Sequence, residues 1–415
     1  MFDQFPKVKL SEICSINIGG TPAREVAKFW AESHDGVAWV SIADMKQKYI
    51  SKTKEYISKS GALSSNVKLI PADSLLMSFK LTVGKVAINT VDLYCNEAIA
   101  FFNPLNDSVS LDWLFHVLPL VTANTVTDTA VKGATLNKEK INNLDIPLPE
   151  IAVQRKIVKV LDTLDLEIEQ TKGIIGKLEN SKAGLLNDLL TCGVDSHENL
   201  RPSYEDAPDL YQETELGFIP KEWEILSVSD FSDFVTSGSR GWASYYAESG
   251  ALFIRIGNLS RENLDMRFES VVYVNPPKSA DGLRTKLQEG DILVSITADL
   301  GIIGVVPKNF GDAFINQHIA LVRPKEGFNS RFIGYYLASF ESQKQIETYN
   351  DGGAKAGLNL PTIRNLKVAL PNSISEQNAI AEKLDAINSQ ILSSKNELNK
   401  LEQIKIGLLK DLLQN

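Results

Sequence analysis

The sequence predicts an α+β chain: two homologous mixed α/β domains separated by two long α-helices, which pair as an antiparallel intramolecular coiled coil with pseudo-twofold symmetry. Three observations lead there. Gln154 to Leu190 recurs at Gln377 to Leu413 with one fixed shift of 223 residues, and 16 of the 37 aligned positions are identical; self-similarity at one shift marks a duplicated unit. Both copies carry an apolar heptad seam. The stretches preceding them also run parallel, block by block.

In the first copy the seam is Ile157, Leu161, Leu164, Ile168, Ile175, Leu178, Leu185 and Leu189, interrupted by Thr171 and Lys182. In the second it is Ile380, Leu384, Ile387, Ile391, Leu398, Leu401, Leu408 and Leu412, interrupted at the equivalent Ser394 and Lys405. Alternating intervals of four and three are the a/d pattern of a coiled coil. Helices of this length reach about 55 Å at 1.5 Å per residue. Each seam finds its simplest partner in the other, which predicts a monomeric chain; a zipper that binds a second chain is the competing reading. Gly173 and Gly176 fall mid-helix and make the first helix the weaker one. The equivalent Gly184 and Gly407 fit either a close backbone approach or a tolerated surface glycine.

The domain boundaries follow. Residues 1–146 form a first domain, 147–192 a first helical region, 193–222 an acidic linker, 223–370 a second domain and 371–415 a second helical region. Runs such as 37–42, 74–79, 86–91 and 98–102 read as strands between Gly, Asn and Asp turns, and 111–121 as a helix. Ile146-Pro147-Leu148-Pro149 ends regular structure before the long helix begins. Trp39 to Met45 resembles Phe253 to Leu259, Asp73 to Ile88 matches Asp291 to Val306, and Asn96-Glu97-Ala98-Ile99-Ala100 matches Asn316-Gln317-His318-Ile319-Ala320.

Composition bounds the function class. The chain has 415 residues, 43% of them hydrophobic, enough for two or three cores. Cys14, Cys95 and Cys192 lie far apart without CxxC spacing, which signals neither a disulfide framework nor a zinc site and fits a cytoplasmic protein. No charged-then-apolar leader and no run of 18 apolar residues is present, so no membrane association is expected. The net charge of −9 argues at first against nucleic acid, but its distribution matters more. Residues 1–145 and 226–370 each carry 15 basic and 15 acidic side chains, while 196–225 holds eight acids against Arg201 and Lys221. Most of the acidity sits in the connector, whose Pro202, Pro208 and Pro220 mark a linker ordered on the surface.

If the helices pair antiparallel, a pseudo-twofold axis crosses them. Duplex DNA has a local dyad, and twofold proteins read inverted half-sites at a spacing set by their own dimensions. Two unlike domains would read an asymmetric bipartite site.

Two strings sharpen this. Thr214-Glu215-Leu216-Gly217-Phe218-Ile219-Pro220-Lys221-Glu222-Trp223 is similar to the lead into the second target-recognition domain of Type I restriction-modification specificity subunits. Leu148-Pro149 followed by Gln154-x-x-Ile157, repeated as Leu370-Pro371 and Gln377-x-x-Ile380, resembles the start of that family's helical regions. The resemblance covers essentially the whole chain; the first domain departs from it in opening at Phe5-Pro6-Lys7 without the tryptophan. It implies a non-catalytic DNA-recognition subunit. Its two target-recognition domains each read half of a split double-stranded sequence, and its helices set the spacer and dock two modification (methyltransferase) subunits. Two ATP-driven motor-nuclease subunits would join in the restricting complex. S-adenosylmethionine, ATP and Mg would belong to those partners, leaving no cofactor in this chain.

Base readout requires donors and acceptors supported by cations near phosphates. The candidates are Thr21, Arg24, Lys46, Lys80, Thr82, Lys85 and Lys132 in the first domain, and Arg240, Trp242, Arg255, Asn258, Arg261, Thr297 and Lys355 in the second. Enzyme readings are weaker. Asn275-Pro276-Pro277-Lys278 resembles the N-P-P-aromatic loop of adenine methyltransferases, but Lys278 replaces the aromatic residue and no F-x-G-x-G loop precedes it, so a strand-ending turn is expected. His34, His116, His197 and His318 show no metal-ligand spacing, and no phosphate loop or G-x-S-x-G elbow is present. A coiled-coil adaptor whose domains bind proteins rather than DNA is the alternative from another class.

Overall fold

The computed structural model describes residues 5–32, 35–80, 82–127, 136–350 and 357–414. The chain divides into two compact units, Met1–Lys172 with Asn396–Asn415, and Gly173–Lys395. Each unit therefore owns one α/β domain, part of the first long helix, Ile151–Thr191, and part of the second, Ile374–Gln414.

In the first unit a five-stranded sheet runs in the order Cys14–Ile18, Ile99–Pro104, Ser74–Ser78, Val86–Asn89, Tyr49–Ile50. All its pairs are antiparallel except the last. A second sheet orders Trp30–Ala31, Glu55–Ile57, Val37–Val40, Tyr94–Cys95, the final pair parallel. The central strands read as unbroken apolar runs because they are covered on both faces. Leu75 and Met77 enter a core with Phe102 and Trp113, while Leu76 enters another with Val40 and Phe101, as period-two alternation demands.

The second unit repeats this plan. One sheet orders Ser232–Ser237, Ile319–Pro324, Ile292–Ser295, Ile303–Val305, and the other Tyr246–Ala247, Tyr273–Val274, Ala251–Ile254, Ala313–Ile315. Ile292 and Val294 face one core, and Leu293 faces the other. In each domain the first strand pairs with the last, Lys7–Lys9 with Asp145–Pro147 and Trp223–Ser227 with Lys367–Pro371. Asn275 to Lys278 directly follows the strand Tyr273–Val274, where the sequence placed a turn.

The helices pair antiparallel inside each unit. In the first, Lys405 ion-pairs with Asp165, and Lys172 lies 2.8 Å from Glu402. In the second, Glu179 lies 2.9 Å from Lys395, and Leu189 and Leu190 share a core with Ile380 and Leu384. Among the described residues the seam positions are buried or half-buried. Leu161, Ile175, Leu189, Ile380, Leu384 and Ile391 are buried, and Ile157, Leu164, Ile168, Leu178, Leu185, Ile387, Leu398, Leu401 and Leu408 are half-buried. The side chain of Leu412 lies outside the described residues. Thr171 is buried in the seam because its hydroxyl bonds back to the Glu167 carbonyl, 2.8 Å away.

The structure refines three points of the sequence reading. The helices begin at Ile151 and Ile374, since Pro147 and Pro371 still close strands. The acidic stretch 193–222 lies largely exposed on the second unit and is pinned at a few points to its core. Val194 and Ile219 are buried in it, and Tyr211–Thr214 forms a hairpin with Gly217–Pro220. The buried Glu376 carboxylate ties it down, accepting from Val194 N at 3.1 Å, Trp223 Nε1 at 3.0 Å and Arg201 Nη2 at 3.0 Å. Finally, a Cβ at Gly184 or Gly407 would meet nothing within 4 Å, so neither marks a close backbone approach.

Each domain is fastened to the start of its following helix by one buried glutamine. Gln154 accepts from Ser110 N at 3.0 Å and donates to the carbonyls of Ser108 and Pro149, both at 2.8 Å. Gln377 accepts from Asn329 N and donates to the Pro371 carbonyl, both at 2.9 Å. Two turns on, Asp162 takes Lys48 at 2.7 Å and His116 at 2.9 Å. At the equivalent helix position Asp385 takes Arg331 at 2.6 Å and the Tyr335 hydroxyl. Partial burial works against ionisation of Asp162, but the Lys48 and His116 hydrogen bonds outweigh it and hold the carboxyl below its usual range. Burial pushes His116 down, against Asp162.

Two outcomes follow from this packing. Gly173→Ala and Gly176→Ala meet open space and should each stabilise the chain by about 1 kcal/mol in urea denaturation; an unchanged midpoint contradicts the helix assignment. Asp162→Asn should lower the stability of the first unit by about 1–2 kcal/mol at neutral pH. A depressed carboxyl contributes stability above its unfolded pKa and loses it as pH falls through the folded value. The difference between parent and variant should therefore begin to narrow below about pH 4 and close as pH falls through the lowered Asp162 value, and a gap that persists in strong acid excludes this ion pair as its source.

Candidate nucleic-acid interface

The helix attachment occupies one end of each main sheet. In the first unit that end holds Cys14 and Pro104, and the opposite end holds Ile18, Ile99 and Ser78. Four segments meet at the free end: the strand exit from Gly19, the hairpin tip that holds Phe79 and Gly84, the turn Asn96 to Ala98, and the chain at Leu136. Gly19 N donates to the Ile99 carbonyl at 3.0 Å, Phe79 N to Ala98 at 3.0 Å, and Leu136 N to Phe79 at 3.2 Å. A Cβ on Gly19 would lie 2.2 Å from the Cys95 carbonyl oxygen, so only glycine allows this approach.

The second unit repeats these three bonds. Gly238 N donates to Ile319 at 3.3 Å, Ile296 N to His318 at 3.0 Å, and Leu358 N to Ile296 at 3.0 Å. The hairpin tips match too. Ser78 Oγ bonds the Thr82 carbonyl and accepts from Lys85 N, as Ser295 Oγ bonds Asp299 and accepts from Ile302 N. Gly84 and Gly301 close the tips at φ 84° and 76°.

On this shared frame the side chains differ. In the first unit the Thr21 hydroxyl donates to the Glu97 carboxylate, and this bond, with Lys80 and Arg24 nearby, holds Glu97 below the usual carboxylate range. The Arg24 guanidinium lies 4.1 Å above Trp30 and 4.7 Å above Trp39 and donates to Glu55 at 3.2 Å. In the second unit His318 lies between Thr297 at 2.7 Å and Gln317 at 2.9 Å. Arg284 donates to Ser239 at 2.5 Å, beside the exposed Arg240.

Thr21, Arg24 and Lys80 thus gather around Glu97, with Thr82 on the adjoining hairpin tip, while Arg240 and Thr297 stand on the corresponding loops of the second unit. Other candidates do not join them. Trp242 is buried at 3% exposure, stacked on Phe253 with centroids 5.4 Å apart, so it is a core residue. Asn258 is buried as a turn cap, accepting from Arg255 N at 2.9 Å and donating to the Arg267 and Ser270 carbonyls. Arg255 is half-buried and donates to Ser270. Lys85 donates to the Ile42 carbonyl at 3.0 Å. Lys46 lines a groove with Asp162, Asp165 and Lys405 beside the helices, and Arg261 lines one with Lys182 and Lys395 while pairing with Asp299. Lys132 and Lys355 lie outside the described residues. Glu97, Gln317 and His318 were passed over, although their signal was present: matched blocks whose flanks agree and whose centres differ.

Among the described residues, His116, Asp162 and Asp165 form the one histidine–carboxylate group compact enough for a metal ion. Lys48 and Lys405 already neutralise its two carboxylates, so the arrangement is a complete ion-pair network.

The family model for the Type I restriction modification DNA specificity domain matches residues 3–180 and again residues 220–403. The chain belongs to that family. It carries the specificity domain twice, each match running from a domain into its long helix. Members of the family are non-catalytic and confer DNA sequence specificity; catalysis belongs to the other subunits of their complexes. The chain is 26% identical to the putative type I restriction enzyme MjaX specificity subunit of Methanocaldococcus jannaschii over 69% of its own length and 63% of that protein. It is 21% identical to the MjaIX specificity subunit of the same organism over 98% of its length and 91% of that protein. Its fold is that of the S subunit of a Type I restriction-modification system from M. genitalium, with a TM-score of 0.59 at 15% identity, covering 99% of this chain and 97% of that one. Among the described residues no helix is long and apolar enough to cross a membrane.

The placements separate structural from reading residues in a measurable way. Trp242→Ala should destabilise the second unit by about 3–5 kcal/mol and Asn258→Ala by about 1–3 kcal/mol. Arg240→Ala should stay within about 0.5 kcal/mol of the parent. Chemical denaturation orders the three, and a Trp242→Ala protein of parental stability would contradict its place in the core.

Proposed function

We propose that this chain is the DNA specificity subunit of a Type I restriction-modification complex, each unit reading one half of an asymmetric bipartite duplex site with the loops at its free sheet end. The observation that supports this is the loop frame itself, built twice with the same hydrogen bonds and tipped with different side chains. A common frame with unlike tips suits two readers of related DNA backbones and unrelated bases. The domains are charge-balanced, so local cations such as Arg24, Lys80 and Arg240 supply the phosphate attraction.

Two modification subunits dock on the long helices and methylate adenine in each half-site, and two motor-nuclease subunits complete the restricting form. S-adenosylmethionine, ATP and Mg are held by those partners. The helices, each continuous over 41 residues, set the spacer. The adaptor reading has no comparable support, because a protein-binding pair of domains has no need of matched loop frames.

Mapping methylated adenines in cells that carry this chain with its modification partner tests the reading. Replacing 1–146 should change one half-site and leave the other. Adding seven residues to both helices keeps the heptad phase, lengthens each by about 10 Å and should widen the spacer by about three base pairs. A replacement that alters both halves, or an unchanged spacer, overturns the scheme.

A further inference from the structure

The turns Asn96 to Ala98 and Asn316 to His318 share one backbone. Asn96 Oδ1 accepts from Ala98 N at 3.0 Å and Asn316 Oδ1 from His318 N at 3.1 Å. The next amide returns to the asparagine carbonyl in both, Ile99 at 3.1 Å and Ile319 at 3.2 Å. A Cβ on Gly19 or Gly238 would collide with this stretch, and the Phe79 and Ile296 amides hold it from the hairpin side. The residue in the middle of the turn is therefore presented identically in the two units. It is Glu97 in one and Gln317 in the other.

We propose that Glu97 and Gln317 are the corresponding base-reading side chains of the two units, Glu97 selecting cytosine and Gln317 selecting adenine. The inference rests on the free sheet ends being the DNA-reading faces. A carboxylate only accepts hydrogen bonds. Guanine and thymine present acceptors in the major groove and repel it, whereas cytosine offers the N4 amine; adenine offers N6 beside the N7 acceptor, which disfavours a second carboxylate oxygen. Thr21 occupies Oε2 of Glu97, leaving Oε1 for the base, and Lys80 and Arg24 offset the repulsion from phosphates. Gln317 keeps a donor and an acceptor. Its amide nitrogen can only donate, so one N–H goes to His318 Nε2, which places the imidazole proton on Nδ1 for Thr297. The second N–H and the carbonyl remain, the pair that clasps adenine N7 and N6.

The test uses the full chain in complex with its modification subunits, with adenine methylation read on a DNA library randomised in both half-sites. Glu97→Gln, an exposed and nearly isosteric change, should shift one position of one half-site from cytosine toward adenine by at least about tenfold and leave the other half unchanged. Glu97→Ala should relax that position to near indifference. Gln317→Glu should shift one position of the opposite half from adenine toward cytosine. Variants that methylate the parental sequence with parental discrimination overturn the assignment while leaving the bipartite reading intact. Replacement of 1–146 that alters both half-sites or neither overturns the bipartite reading itself.

Discussion

Each domain is fastened to its helix through a side-chain amide removed from water, and the precision of any reading at the far end of the sheet depends on that joint. Gln154 and Gln377 are both buried, and their hydrogen bonds span the loop that leads into the domain's own helix and a proline at or just after the end of its last strand, Pro149 and Pro371. A buried amide with its bonds made is rigid, because breaking one bond leaves a donor or acceptor without water to replace it. The helix start and the domain therefore move as one body. The amide bonds add direction to the apolar packing of Val158, Leu161, Ile380 and Leu384 against the domain cores, which without them would hold the helix start but not fix its angle.

The second contact at each joint shows which parts of a duplicated design are fixed and which are free. The carboxylates of Asp162 and Asp385 stand at equivalent helix positions, but their partners have diverged. His116 and Lys48 serve one, Tyr335 and Arg331 the other, and Asp165 has become Asn388, which donates to the Tyr335 hydroxyl at 2.8 Å. The joint is preserved as a hydrogen-bonded, charge-compensated contact, not as a set of residues. The free sheet end follows the same logic in reverse, with the framing backbone bonds from Gly19, Phe79 and Leu136 retained at Gly238, Ile296 and Leu358 and the exposed tips replaced.

This division explains how much was legible beforehand. The repeat, the seam and the central strands follow from periodicity, which depends on burial and is written directly in residue type. The match between Leu148-Pro149 to Ile157 and its copy was visible, but not that its glutamine is a fastener, since that requires knowing where the Ser110 and Asn329 amides arrive. Trp242 and Asn258 looked like readers because aromatic and amide side chains serve both cores and bases; only the packing against Phe253 and the bonds to Arg267 and Ser270 decide. Glu97 was overlooked for the opposite reason, because a carboxylate looks unsuited to a polyanion until Thr21, Lys80 and Arg24 are seen around it. The pinning of the acidic stretch 193–222 through Val194, Tyr211 and Ile219 was not legible, because these residues are scattered among exposed ones and burial by a distant element leaves no local period.

That stretch also resolves the apparent conflict between a net charge of −9 and a DNA ligand. It is held where Trp223 and Glu376 meet, at the end of the second unit that carries the helix. The six-residue strand Ser232–Ser237 that leads from there toward Gly238 spans about 20 Å. Charges separated by more than about 8 Å at physiological ionic strength are largely screened from one another, so the acids contribute little field at the loops. Net charge therefore says little about this ligand, and the local balance at the sheet end, where the exposed Arg240 stands beside an Arg284 paired with Asp281, says more.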